Sequence, residues 1–120
     1  MVHPSVIDEF NRSGPYSIRG HNDLYYDGQQ IGELWLGMGI SLDKIEIYAP
    51  FRGHGHATAV MEQLIRFADA NEYPLSLTPE AWWGSSVPRL RRFYERFGFR
   101  GREGRNKMHR RPRKLRRPST

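Results

Sequence analysis

The sequence predicts a mixed α/β (α+β) domain with a single mixed, mostly antiparallel sheet and two main helices. Three observations predict it. LYYDGQQIGELWL has the composition of two strands turning at Asp27-Gly28, a dipeptide suited to the positive φ angles of a two-residue hairpin. Val60, Met61, Leu64, Ile65, Phe67 and Ala68 fall on one helical stripe. Short branched apolar runs, KIEIYA before that helix and LSLT after it, give a strand–helix–strand order.

The elements follow in order. Residues 1–15 show no sustained period and end in Ser13-Gly14-Pro15, so they are expected to form a loose arm with one helical turn. After the hairpin and the break at Gly37-Met38-Gly39, a third strand over 44–49 stops at Pro50. The helix from Ala57 presents Glu62, Gln63, Arg66 and Asp69 outward, and ends near Asn71 to Pro74. LSLT at 75–78 is a strand, and TPEAWWGSS is a loop in which Ser86 caps a second helix. Leu90, Phe93, Tyr94 and Phe97 form the apolar stripe of that helix, and Gly98 closes it. Phe99–Arg102 and Lys107–Arg111 read as a last hairpin.

At 120 residues the chain fits one domain, expected over 1–112, followed by a basic tail over 113–120. It has no cysteine, which excludes disulfides and thiolate metal sites. No apolar run has the length of a membrane span and no signal peptide is evident, so a cytoplasmic protein without membrane association is expected. The net charge of +6 is unevenly distributed. Residues 100–120 hold ten Lys and Arg against Glu103, while residues 1–99 hold nine basic and twelve acidic side chains, net −3.

The stretch PFRGHGHATAV stands out because a helix begins there without a serine, threonine or aspartate to cap it. The first amides of a helix have no partner within it and carry a partial positive charge. Gly53 and Gly55 remove side chains at that point, the logic of phosphate sites at strand-to-helix turns. An ordinary glycine turn before a core helix is the alternative, and spacing alone leaves both open. The pattern is neither a P-loop nor a dinucleotide fingerprint. His54 and His56 lack a third ligand, so no metal site is expected.

IYAPFRGHGHATAVMEQL resembles the pyrophosphate-binding motif of the GCN5-related N-acetyltransferases (GNAT), Arg/Gln-x-x-Gly-x-Gly/Ala after a strand and before a helix, here Arg52, Gly53, His54, Gly55, His56 and Ala57. YERFGF at 94–99 is similar to the family's Tyr-x-x-x-Gly-Phe, about forty residues later. The resemblance covers roughly residues 24–112. The chain is similar in particular to small acetyltransferases common in bacteriophages, whose place would be the host cytoplasm.

The resemblance implies a GNAT-like (acyl-CoA N-acyltransferase) fold lacking most of its N-terminal helical part, and an N-acetyltransferase using acetyl-CoA as co-substrate. The coenzyme is then expected between the KIEIYA and LSLT strands, its pantetheine paired with the backbone of Ile47, Tyr48 and Ala49 and its pyrophosphate on Arg52 to Ala57. The N–H near Tyr48 is the expected oxyanion donor, and Tyr94 the expected acid for the leaving thiolate, with a core aromatic as the alternative. Glu46 is the candidate base, against a reading as a solvent-facing strand glutamate, and Glu33 is the reserve. Val87 stands where the family often has a coenzyme-binding Asn, so that contact is either lost or supplied by Ser85 or Ser86, themselves ordinary caps.

Residues 1–23 are too few to wall the acceptor site, which suits a protein lysine or N-terminus, or a second copy of the chain in a homodimer completing the wall. Trp82 and Trp83 are candidate acceptor contacts or core residues. The basic segment at 110–117 is a candidate contact for nucleic acid or an acidic partner, or a solvated extension. Two further classes stand beside the enzyme: a non-catalytic binder on this fold, and a basic-tailed nucleic-acid or nucleoprotein binder. Some phage proteins of the family acetylate host defence complexes, which adds such a complex to the expected targets.

Overall fold

The computed structural model describes residues 3–79, 86–101 and 106–113. It is a mixed α+β domain with a seven-stranded mixed sheet and three helices among the described residues.

The chain opens with helix α1 (Pro4–Asn11), which corrects the expected loose arm. Pro4 occupies the first turn, and His3 Nδ1 accepts the Ser5 N–H at 3.1 Å. Val6 and Phe10, four residues apart, are buried, and the Phe10 ring meets Phe67 edge-on at 6.1 Å. Two buried positions in eight residues are too few to register as a period, so packing decides this helix.

Strands β1 (Tyr16–Arg19), β2 (Asp23–Tyr26), β3 (Gln29–Gly37) and β4 (Ser41–Ile47) follow as an antiparallel meander. The turn between β2 and β3 falls on Asp27 (φ 51°) and Gly28 (φ 79°), as the dipeptide predicts. The strand expected over 44–49 lies three residues earlier at its start and ends at Ile47; Ala49–Phe51 forms a 3-10 turn instead. β1 had no expectation attached to it.

Helix α2 (His56–Ala70) packs Val60, Met61, Leu64, Phe67 and Ala68 into the core, as the stripe predicts. Gln63, expected to face outward, is fully buried. Its Oε1 accepts the Tyr16 N–H at 2.9 Å, and its Nε2 donates to Phe10 O at 2.9 Å and Tyr16 O at 2.7 Å. A buried amide is tolerated because its bonds are made, and here it substitutes for a neighbouring strand along β1.

Strand β5 (Leu75–Leu77) lies parallel to β4, helix α3 (Val87–Glu95) follows, and β6 (Arg100–Gly101) and β7 (Met108–Arg110) form the expected last hairpin. The sheet order is β1-β2-β3-β4-β5-β7-β6, with β4–β5 the single parallel pairing among the described residues. Leu75, Leu77, Phe99 and Met108 complete the core.

Arg110, expected both in the last hairpin and at the start of the basic segment 110–117, belongs to this framework. It is 3% exposed and forms two bonds to Asp69, Nη1 to Oδ1 at 2.7 Å and Nη2 to Oδ2 at 3.0 Å, while its Nε donates to Phe97 O at 2.7 Å. A buried guanidinium needs a carboxylate, and Asp69 of α2 supplies it. The tail from 114 lies outside the described residues. No helix among the described residues is long and apolar enough to cross a membrane.

Candidate functional site

β4 and β5 pair only at Ser41–Ser76 and Leu42–Leu77. β4 then runs on through Ile47 with no strand beside it on that side among the described residues, while β5 ends. Along β4, N–H groups alternate between its two flanks. Tyr48 N–H donates to Ile31 O at 2.8 Å, toward β3, so the amides of Ile45 and Ile47 face the side that β5 has left.

A cavity of about 380 Å³ occupies that opening. Its lining includes Ile45, Glu46 and Ile47 of β4, Leu77 and Thr78 at the end of β5, Arg52 and Ala57 at the entrance to α2, and Leu90, Phe93 and Tyr94 of α3. Apolar walls with a few polar groups are the ordinary make-up of a small-molecule site.

At the entrance, the chain leaves β4 through the 3-10 turn, and Gly53 (φ 82°) and Gly55 (φ 80°) both take the left-handed conformation. A Cβ at either glycine would meet nothing within 4 Å. Gly55 is the N-cap of α2 and provides no side-chain cap. The backbone N–H groups of Gly53, His54, Gly55, His56 and Ala57 donate to no described residue. Five consecutive free amides at a helix start are an anion-accepting arrangement. Arg52 is exposed; its N–H donates to Ala49 O at 3.3 Å and its Nε to Ile47 O at 2.8 Å, which holds the side chain along the cavity rim.

His56 turns its ring away from this opening. Its Nδ1 shares a 2.8 Å hydrogen bond with the Tyr16 hydroxyl, and its ring packs against Tyr16 and Tyr26. The His54 ring centroid is 6.3 Å from that of His56.

Tyr94 lines the cavity from α3, its ring edge-on to Phe93 and Phe99. Its hydroxyl makes no hydrogen bond to a described residue, and burial raises its pKa above the ordinary phenol value. Across the cavity, Glu46 pairs with Lys44 at 3.2 Å and stands directly opposite Glu33 in the β3–β4 register. Lys44 lies 3.9 Å from Glu33, whose carboxylate also accepts Trp35 Nε1 at 2.9 Å and the Tyr48 hydroxyl at 3.4 Å.

The structure thus brings Ile47, Glu46, Arg52, Ala57 and Tyr94 to one cavity, with Gly53 to His56 at its entrance. It does not bring Tyr48 there: its N–H donates to Ile31 O within the sheet, which leaves the neighbouring amides of Ile45 and Ile47 facing the cavity. Ala49 lies in the 3-10 turn, its carbonyl engaged by the Arg52 amide. Ser86 Oγ accepts the Arg89 N–H at 3.3 Å as the cap of α3, outside the cavity lining. Ser85, Trp82 and Trp83 lie outside the described residues. Sequence reasoning missed Thr78, Leu90 and Phe93 as cavity residues. Leu90 and Phe93 carried a core signal only, because helical periodicity does not distinguish a core from a cavity wall. No protein-family model matches the chain, and no curated protein matches it.

Proposed function

We propose that the protein is an acetyl-CoA-dependent N-acetyltransferase with a GNAT-like fold, acting on a primary amine of a protein, a lysine or an N-terminus. One observation carries the reading: five successive amides, from Gly53 to Ala57, donate to no described residue at the start of α2, beside a cavity that Arg52 and Ala57 line and whose wall carries a Tyr94 hydroxyl that no described residue binds. A diphosphate fits the first feature by charge and by the open space at Gly53 and Gly55. A thin chain with amide groups fits the second, because the cleft-facing N–H groups of Ile45 and Ile47 offer hydrogen bonds that a strand would otherwise accept, while Ile47 O already accepts Arg52 Nε.

The chemistry asked of the residues is amine acylation. The amine nitrogen bonds to the thioester carbonyl carbon, the carbon–sulfur bond breaks, and one proton passes overall from nitrogen to sulfur. Glu46 takes the first proton, from the ammonium form of the amine, and returns it to solvent, since presenting a lysine in its neutral form at pH 7 costs about 4–5 kcal/mol; the second, lost by the nitrogen as it is acylated, is the one that reaches sulfur by way of Tyr94. The cleft-facing N–H of Ile45 or Ile47 supports the carbonyl oxygen as it gains charge. Tyr94 donates to the departing sulfur. Its phenol is kept protonated by burial, and a thiol is the stronger acid at about 8.5, so Tyr94 acts first as a hydrogen-bond donor and passes its proton only as the amine proton replaces it.

Thermal unfolding with and without acetyl-CoA tests the proposal. At one hundred times the dissociation constant the ligand adds about 2.7 kcal/mol of stability, which raises Tm by on the order of ten degrees in a domain of this size. An unchanged Tm at millimolar acetyl-CoA would overturn it.

A further inference from the structure

A second concavity, of about 300 Å³, lies apart from the cleft, between the outer face of α2, the end of α3 and the exit of β7. Its lining holds four guanidiniums, Arg66 of α2, Arg96 at the end of α3, Arg110 of β7 and Arg113 just beyond it, together with the apolar side chains of Ile65 and Phe97. Arg110 and Arg113 are held side by side at Gly98 (φ 93°): the position of an added Cβ there lies 2.9 Å from Arg113 Nη2 and 3.2 Å from Arg110 Nε. Like charges so placed call for counter-charge. Asp69 supplies it to Arg110 through two hydrogen bonds and accepts the Arg113 N–H at 2.9 Å. Arg66, Arg96 and Arg113 are exposed and make no ion pair with a described carboxylate, not even with Glu62, the one acid of the lining. Four guanidiniums therefore stand against two carboxylates, an excess of two positive charges in one groove.

We propose that this groove binds a phosphate monoester, carried by a small molecule or by a phosphorylated side chain. Such a group has a charge of about −1.5 to −2 at pH 7 and three acceptor oxygens, whereas a carboxylate offers one charge and two oxygens. The phosphate matches both the excess charge and the three elements from which the arginines arrive; a carboxylate leaves half of that charge unanswered. Guanidiniums are planar, permanently charged forks that suit phosphate oxygens. Ile65 and Phe97 give the organic part of the ester an apolar surface. The groove is separate from the start of α2, because Arg66 lies ten residues beyond His56, about 15 Å along the helix. This inference does not depend on the acetyltransferase reading.

Nuclear magnetic resonance of the 15N-labelled protein, titrated with phenyl phosphate, methyl phosphate and benzoate at one pH and ionic strength, tests it. Phenyl phosphate is expected to shift the amide signals of Arg96, Phe97, Gly98 and Arg113. Its affinity is expected to exceed that of benzoate by about tenfold or more, and to exceed that of methyl phosphate, which lacks the apolar ring. A phosphotyrosine peptide distinguishes the two carriers: binding tighter than that of phenyl phosphate assigns the groove to a phosphorylated side chain, equal or weaker binding to a free ester.

The variant R66A/R96A/R113A is compared with R12A/R19A/R89A, which removes the same charge from exposed arginines outside the groove lining. Circular dichroism verifies that both fold. The groove variant is expected to lose about tenfold or more in affinity for phenyl phosphate, and the control to stay within about twofold of the wild type, because distant surface charges are screened. The inference is overturned if phenyl phosphate shifts no signal or only those of Gly53 to Ala57, if benzoate binds as tightly, or if the two triple variants lose affinity equally.

Discussion

Asp69 and Arg110, forty-one positions apart, meet through two hydrogen bonds of 2.7 and 3.0 Å, tying the C-terminal half of α2 to the last strand of the sheet. Burial pushes the Asp69 pKa up, but the Arg110 side chain, the Arg113 amide and the positive charges of both outweigh it and hold the carboxyl below its ordinary 3.8. Asp69→Asn leaves the nearly buried guanidinium without its counter-charge and is expected to cost about 3 kcal/mol, measured as a shift of the urea midpoint. The sign of the pH dependence follows from a depressed pKa. The stabilisation is fully present above pH 3.8 and is lost as pH falls through the lower folded value, so wild type and variant converge in strong acid. A gap that instead widened in acid would contradict this assignment.

Gln63 supports the other end of the sheet. Its three hydrogen bonds, to both backbone groups of Tyr16 and to Phe10 O, hold β1 and α1 on α2. Gln63→Ala strands those groups in the interior and is expected to destabilise the protein by about 3 kcal/mol. Native-state hydrogen exchange is expected to locate the loss at the Tyr16 amide. Uniform loss of protection across the sheet would show that Gln63 acts as generic core packing.

Tyr94→Phe removes a hydroxyl that no described residue binds, so the fold is expected to keep its Tm within a few degrees. If the phenol serves the leaving sulfur, kcat for acetyl transfer falls about a hundredfold while coenzyme affinity is preserved. Equal turnover in wild type and variant would return Tyr94 to the role of a core aromatic.

Gly55→Glu puts a carboxylate at the open start of α2 and is expected to erase the thermal shift given by acetyl-CoA. A side chain at φ 80° also carries about 1–2 kcal/mol of strain, which Gly55→Asn shares in milder form because asparagine tolerates this conformation. The asparagine variant is expected to retain the shift, separating charge from strain. Retention by both variants would place the coenzyme phosphates elsewhere.

The sequence by itself determined what depends on neighbours along the chain. The Asp27-Gly28 hairpin, the stripe of α2, the Ser86 cap and the uncapped glycine turn were legible because backbone sterics and helical period act over a few residues. Tertiary structure decided what depends on distant partners. Gln63 reads as a surface residue until β1 offers its backbone, and Arg110 as one more charge of an exposed basic segment until Asp69 stands beside it. Tyr48 reads as a cleft donor until its pairing with Ile31 turns its N–H the other way. Whether the glycine turn faced an opening was likewise undecidable from residue order, because the cavity exists only where β4 outruns β5 and α3 closes the side. Local conformation is encoded in adjacent residues, whereas the side chosen by an N–H, an amide or a guanidinium is fixed by which groups folding brings next to it.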